Sequence, residues 1–206
     1  MLFIGKSNNL MRSYRGCGKH FYLPNVISGI IKSTNNRMKT MLCEHKLTSQ
    51  LLKTLQQGGI TKIIRATKGK SIEMRREVGN NSFFADILIS LSSQKKETSS
   101  FNTKQTKFIA IEVKISDWRQ GLYQAWRYYS FAEKSYLALY KEYAKNADID
   151  LFKKHNVGLI VFDEKTIRVL YNPTLNSFKG DNVYEAKLRE KIWQRSMLVQ
   201  SVQPAI

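Results

Sequence analysis

Two opposite charges stand at alternate positions inside an apolar run, Phe108-Ile109-Ala110-Ile111-Glu112-Val113-Lys114-Ile115-Ser116. The run reads as a buried β-strand, because β-branched and apolar residues dominate it. Side chains of a strand alternate between its faces, so Glu112 and Lys114 share one face while Ile111, Val113 and Ile115 share the other. Charges in such a setting cost free energy unless they are paired, solvated at a cleft or bound to a metal. A cross-strand salt bridge on a solvated face is one solution. Asp86 points to another, as the single charge in Ser82-Phe83-Phe84-Ala85-Asp86-Ile87-Leu88-Ile89-Ser90, a second strand-like run. If the two runs form an antiparallel hairpin about the middle of 92–107, facing residue numbers sum to about 198, and Asp86 falls opposite Glu112. Facing carboxylates repel, and a hairpin that tolerates them usually has a cation between them.

Other elements must position this patch. Met41, Leu42, Leu47, Leu51, Leu52 and Leu55 repeat at helical steps, predicting a helix over 40–56 that Gly58-Gly59 ends. Glu44 is its only acid, and by spacing alone it is an ordinary surface charge. Strand-like runs follow at 60–66 and 72–78, with a turn at 67–70, while the polar segment 92–107 reads as a mobile loop. Ser116-Asp117 is a good N-cap for a helix over 118–133, with Leu122, Ala125, Trp126, Tyr129 and Ala132 as its apolar stripe. On an adjacent face Gln120, Gln124 and Tyr128 line up four apart and emerge near the charged strand end, either as site residues or as a polar helix edge. A strand at 135–140, a helix at 148–155 and a hairpin of 157–162 with 166–171 come next. Pro173 and Gly180 precede a last amphipathic helix, 183–198, in which Arg189, Lys191 and Arg195 are candidate phosphate contacts.

The chain of 206 residues carries 34 Lys and Arg against 16 Asp and Glu, a formal charge of +18. Such an excess favours a polyanionic partner, nucleic acid first and an anionic membrane surface second. No apolar run is long enough to span a bilayer. With only Cys17 and Cys43, no disulfide framework is implied, and a reducing, cytoplasmic setting is the default. Residues 1–39 are basic and contain no acid, which suits an arm that grips phosphates or a small addition to the domain, with an organelle transit peptide as a third reading. Cys17, His20, Cys43 and His45 make a poor zinc set, since Cys43 and His45 would point about 200° apart on a helix.

Helix, three strands, helix, strand, with Glu44, then Asp86, Glu112-x-Lys114 and Gln124 in that order, resembles the PD-(D/E)XK nuclease superfamily over residues 40–171. Gln124-Ala125-Trp126-Arg127-Tyr128 is similar to the Gln-xxx-Tyr motif of RecB-type nucleases. Ala85 departs from the pattern, standing where the family name has Pro. The resemblance implies an α/β fold with a restriction-endonuclease-like core, a mixed central sheet flanked by helices in αβββαβ order, plus a C-terminal hairpin and helix. It divides the chain into a basic arm (1–39), a nuclease-like domain (40–172) and a helical extension packed on that domain (173–206).

It further implies that Asp86, Glu112 and the Val113 backbone carbonyl hold Mg²⁺ or Mn²⁺, hard cations that prefer oxygen ligands. Lys114 would position water or neutralise charge on the transition state, Glu44 would assist through metal or water, and Gln124 would orient the site. Tyr128, Gln120 and Arg127 are the softer substrate-binding candidates. The expected protein is a metal-dependent deoxyribonuclease, more an endonuclease than an exonuclease because no processive partner domain is attached. DNA is the expected partner with RNA left open, no membrane is involved, and a homodimer would suit double-strand cutting. The rival is a non-catalytic nucleic-acid-binding protein that keeps the fold and the charge.

Overall fold

Hydrophobic alternation along six segments builds one mixed sheet. In the computed structural model, which describes residues 43–64, 69–79, 84–93, 105–177 and 182–198, the strands are β1 (Ser71–Gly79), β2 (Phe84–Ser92), β3 (Thr106–Lys114), β4 (Lys134–Tyr140), β5 (Gly158–Phe162) and β6 (Ile167–Tyr171), side by side in that order. β1 to β3 form an antiparallel meander, β3 to β5 run parallel, and β6 returns antiparallel. Parallel neighbours need crossovers. Helix α2 (Trp118–Arg127) supplies the first, and the short α3 (Lys141–Ala144) and α4 (Ile149–Lys154) supply the second. Helix α1 (Glu44–Gln56) precedes the sheet and α5 (Val183–Leu198) follows it.

Residue parity separates the two faces. Ile109, Ile111 and Val113 of β3 pack with Leu47, Leu51 and Leu55 of α1. Phe108 and Ala110 pack on the opposite face with Tyr128, Phe131 and, from α5, Leu188 and Ile192. Beside them Trp118, Leu122 and Ala125 of α2 meet Leu137 and Leu139 of β4 and Phe152 of α4. With helices on both sides, the central strands are apolar throughout, as parallel strands usually are. Glu112 therefore occupies a position that parity assigns to core.

Several sequence expectations need correction. No strand forms over the described part of 60–66: Gly59–Lys62 is a 3₁₀ helix, and Ile60, Ile63 and Ile64 are buried at a helical spacing of three and four. Gly58, at φ 109°, makes the left-handed turn that ends α1 and starts this segment. The helix expected to reach 133 stops at Arg127 and tightens into a 3₁₀ turn, Tyr128–Ser130, which brings Tyr128 and Phe131 together beneath the sheet. Trp126, expected in the buried stripe, is 48% exposed, because Trp118, Leu122 and Ala125 take the inward positions and Trp126 sits about 100° further round. Residues 1–42, with Cys17 and His20, and most of the 92–107 loop lie outside the described residues.

Arg189 is not a phosphate contact. It is 2% exposed and donates to the carbonyls of Phe131 and Thr106 at 2.8 and 2.6 Å, while pairing with Glu133 at 2.9 Å. One buried guanidinium thus ties α5 to the starts of β3 and β4. Arg195 is half-buried and donates to the Gly79 carbonyl, and of the three only Lys191 is exposed. Breaking a buried ion pair from one side typically costs about 3 to 5 kcal/mol, so Arg189→Ala is expected to lower the urea midpoint sharply. Lys191→Ala should stay within about 0.5 kcal/mol of wild type in the same titration.

Candidate active site

The β2–β3 ladder runs from Ser92↔Thr106 to Ile87↔Ile111, and facing residue numbers sum to 198 throughout. This is the register the hairpin arithmetic predicts. Beyond Ile87 the strands part. β2 stays paired with β1 as far as Gly79↔Phe84, while Asp86 places its side chain in the gap and Oδ2 accepts the Val113 N–H at 2.7 Å. The N–H and C=O of one strand residue leave on the same side, so the Val113 carbonyl also faces the split beside Asp86. Opposite Asp86, β1 is irregular: Glu77 has φ 53° between the pairs Arg76↔Ile87 and Val78↔Ala85.

Glu112 is 4% exposed. Lys114 Nζ lies 3.1 Å from Glu112 Oε1 and 3.4 Å from Glu44 Oε2 at the start of α1. The solvated cross-strand salt bridge is therefore not what forms, because the pair lies along one strand and α2 covers it. A Cβ at Gly121 would come within 2.8 Å of Lys114 Cγ and 2.6 Å of Leu137 Cδ1, so only glycine lets the helix sit this close. Gly121 escaped the sequence reading. Its signal was a glycine inside a strong helix, which costs about 1 kcal/mol relative to alanine and commonly marks close packing.

The residues of α2 and of the 3₁₀ turn after it divide by face. Tyr128 is buried behind Glu112, its hydroxyl between Glu112 Oε2 and the Phe84 carbonyl, the latter at 2.6 Å. One phenol proton can serve only one acceptor at a time, so the hydroxyl alternates between the Phe84 carbonyl and the Glu112 carboxylate. Such enclosure suits orientation of Glu112. Gln124 Oε1 is buried and has no hydrogen-bond partner among the described residues. Gln120 is exposed in the first turn, where its backbone N–H donates to the capping Asp117, and half-buried Arg127 acts electrostatically on the Tyr128 phenol. Of the sequence-predicted residues, Asp86, Glu112, Lys114, Tyr128 and Glu44 form one connected group.

Burial, then the neighbouring Glu112 charge, pushes Asp86 up from 3.8 to about 7, against the opposing Val113 N–H. Burial raises Glu112 as well, resisted by the Tyr128 hydroxyl and Lys114. For Lys114, burial pulls the pKa down, but Glu112 and Glu44 outweigh it and hold the ammonium charged. The Tyr128 phenol is raised by burial and by Glu112, which keeps it a donor.

Two carboxylates thus contact one ammonium and a third, Asp86, acts on it electrostatically, in a partly dry site. Among the described residues no three His, Cys, Asp or Glu side chains gather as a ligand cluster. Asp86, Glu112 and the Val113 carbonyl nevertheless fit an ion such as Mg²⁺, which takes one or two carboxylates and keeps several waters.

An acid whose pKa is higher folded than unfolded holds more protons in the folded state, so its stabilisation is lost as pH rises between the two values. The metal-free protein should lose thermal stability from about pH 4 to pH 7, and Asp86→Asn should flatten that slope. A persisting slope in Asp86→Asn would clear Asp86 of responsibility. Gly121→Val should overpack the α2–β3 contact by about 1 to 3 kcal/mol, read as a lower melting temperature.

No family model matches the chain, and no curated protein matches it. Among solved structures it is similar to a protein of unknown function from Silicibacter pomeroyi, with a TM-score of 0.49 and 12% identity, covering 78% of this chain and 91% of that one.

Proposed function

We propose that the chain is a metal-dependent nuclease of restriction-endonuclease-like core, hydrolysing phosphodiester bonds of DNA by endonucleolytic cleavage. The reading is carried by one observation: at the β2–β3 split Asp86 accepts the N–H of Val113, the residue after Glu112, and Lys114 is held between Glu112 and Glu44. The charge of +18 supports a nucleic-acid partner.

In this reading Asp86, Glu112 and the Val113 carbonyl hold Mg²⁺ or Mn²⁺. Bound there, the ion would supply Lewis acidity toward a phosphate oxygen and acidify water. The chain's own residues do the rest. The Val113 N–H and the Tyr128 hydroxyl orient the two carboxylates. Lys114, kept charged by its acidic neighbours, offsets negative charge that grows on the phosphate in the transition state. In this reading Gln124 orients the site from α2, and Glu44 keeps the Lys114 ammonium in place. Gln120 and Arg127 lie along the same helix as contacts for the flanking strand.

No helix among the described residues is long and apolar enough to cross a membrane. The competing reading is a binding protein that has kept the fold without the chemistry.

The deciding experiment is a panel of supercoiled, linear, branched and single-stranded DNA, with an RNA control, incubated with Mg²⁺ or Mn²⁺. Cleavage by the wild type is expected. Asp86→Ala or Glu112→Ala should abolish it with DNA affinity nearly unchanged, and Lys114→Met should slow it about a hundredfold or more without unfolding the protein. If the wild type binds these substrates yet cleaves none, the binding protein is the correct reading.

A further inference from the structure

α2 carries a second face that the cleavage chemistry leaves unused. Arg119, Leu122, Tyr123 and Trp126 recur at three- and four-residue steps and, with His155 just past α4, line a groove of about 350 Å³. Tyr123 is 60% exposed and Trp126 48%. Their ring centroids lie 6.3 Å apart, and His155 meets Trp126 edge-on at 6.4 Å. At one end the Arg119 guanidinium covers the Trp118 ring at 4.5 Å, presenting a planar cation beside the open aromatic faces. Two large aromatic rings held in solvent by a rigid helix cost hydration free energy, and such patches mark interaction sites.

Charge and position identify the occupant. None of the five lining side chains is acidic, and exposed Lys154 adjoins His155 on a chain of charge +18, so the groove suits an anionic partner with flat apolar surfaces. An unpaired nucleobase on its phosphate backbone has both properties, and every base can stack on Trp or Tyr. The inner face of the same helix touches Lys114 through Gly121. A helix is about 10 Å across, and a strand passing round half of it covers about 16 Å, so the platform lies about five nucleotides from the site at the 3.4 Å rise of a stacked strand.

We infer that the Tyr123–Trp126 groove is a stacking platform for unpaired bases, which directs single-stranded or locally opened DNA toward the Asp86–Glu112 site. The inference deepens the nuclease reading and rests on it for the role of the bound strand. Single-stranded substrate, or the frayed and branched parts of a duplex, would then be preferred over uninterrupted double helix.

The test uses full-length protein carrying Asp86→Ala, so that oligonucleotides are bound without being cut. Binding of a fluorescent single-stranded 12-mer and of the matching duplex is measured by anisotropy. Adding Trp126→Ala, or Tyr123→Ala with Trp126→Ala, should weaken single-strand binding about tenfold or more and duplex binding less than twofold, while Trp126→Phe restores it. Unchanged single-strand affinity in the double variant overturns the inference, and so does an equal loss for duplex, which would mark a general phosphate contact. Normal oligonucleotide binding with loss of a wild-type dimer in sedimentation would also overturn it, making the groove a self-association face. Trp126-dependent binding by a protein whose wild type cuts nothing would retain the platform and reject the nuclease reading alone.

Discussion

The hydrogen bond from the Val113 N–H to Asp86 Oδ2 is the contact on which the site depends. It lies just past Ile87↔Ile111, where the β2–β3 ladder ends. There the Val113 amide would otherwise face the interior unsatisfied, a loss of about 1 to 3 kcal/mol. A carboxylate fills the vacancy, so a break in backbone pairing becomes the means of fixing an acid against its neighbour. The same break turns the Val113 carbonyl toward Asp86. One irregularity in the sheet therefore supplies both a charge and a dipole to a single point.

That point is electrostatically unfavourable, and the surrounding elements offset it in different ways. Glu112 is enclosed on the face that packs against α2 and α5, yet it keeps the Tyr128 hydroxyl and the Lys114 ammonium as partners. Lys114 is in turn steadied by Glu44 from the far side of the sheet edge. The approach of α2 made possible by Gly121 shields these groups from water, which strengthens their attraction and also raises the price of leaving any of them alone. Elsewhere on α2, Gln124 Oε1 is buried without a hydrogen-bond partner among the described residues. Natural structures tolerate such atoms rarely, and commonly where a water or ion belongs.

Much of this was legible in the sequence because strands obey a period of two. Parity alone placed Glu112 with Lys114, and the length of the polar loop predicted the register that holds as far as Ile87↔Ile111, one step short of Asp86 and Glu112. What failed to show were features that depend on partners distant in sequence. Ile60, Ile63 and Ile64 looked like a β-branched run, but their spacing is helical and the α1 core takes them in that form. Arg189 looked like a surface cation, and only the packing of α5 shows that Glu133 and two carbonyls claim it. Trp126 fitted an apolar stripe whose inward positions were already filled by Trp118, Leu122 and Ala125. Gly121 carried its message in what it lacks, and absence of a side chain is meaningful only once a neighbour's distance is known.

Helix α5 has a consequence for how this chain would tolerate change. Leu188 and Ile192 rest on Phe108, Ala110 and Tyr128, and Tyr128 is the residue that holds Glu112. The support behind the buried carboxylate thus comes from the last described element, more than 70 positions away along the chain. In a saturation screen scored for the proposed cleavage, the inward positions of α5 would register as sensitive sites although none belongs to the candidate site. Loss of function there would report a backing that has given way, with every reactive group still present.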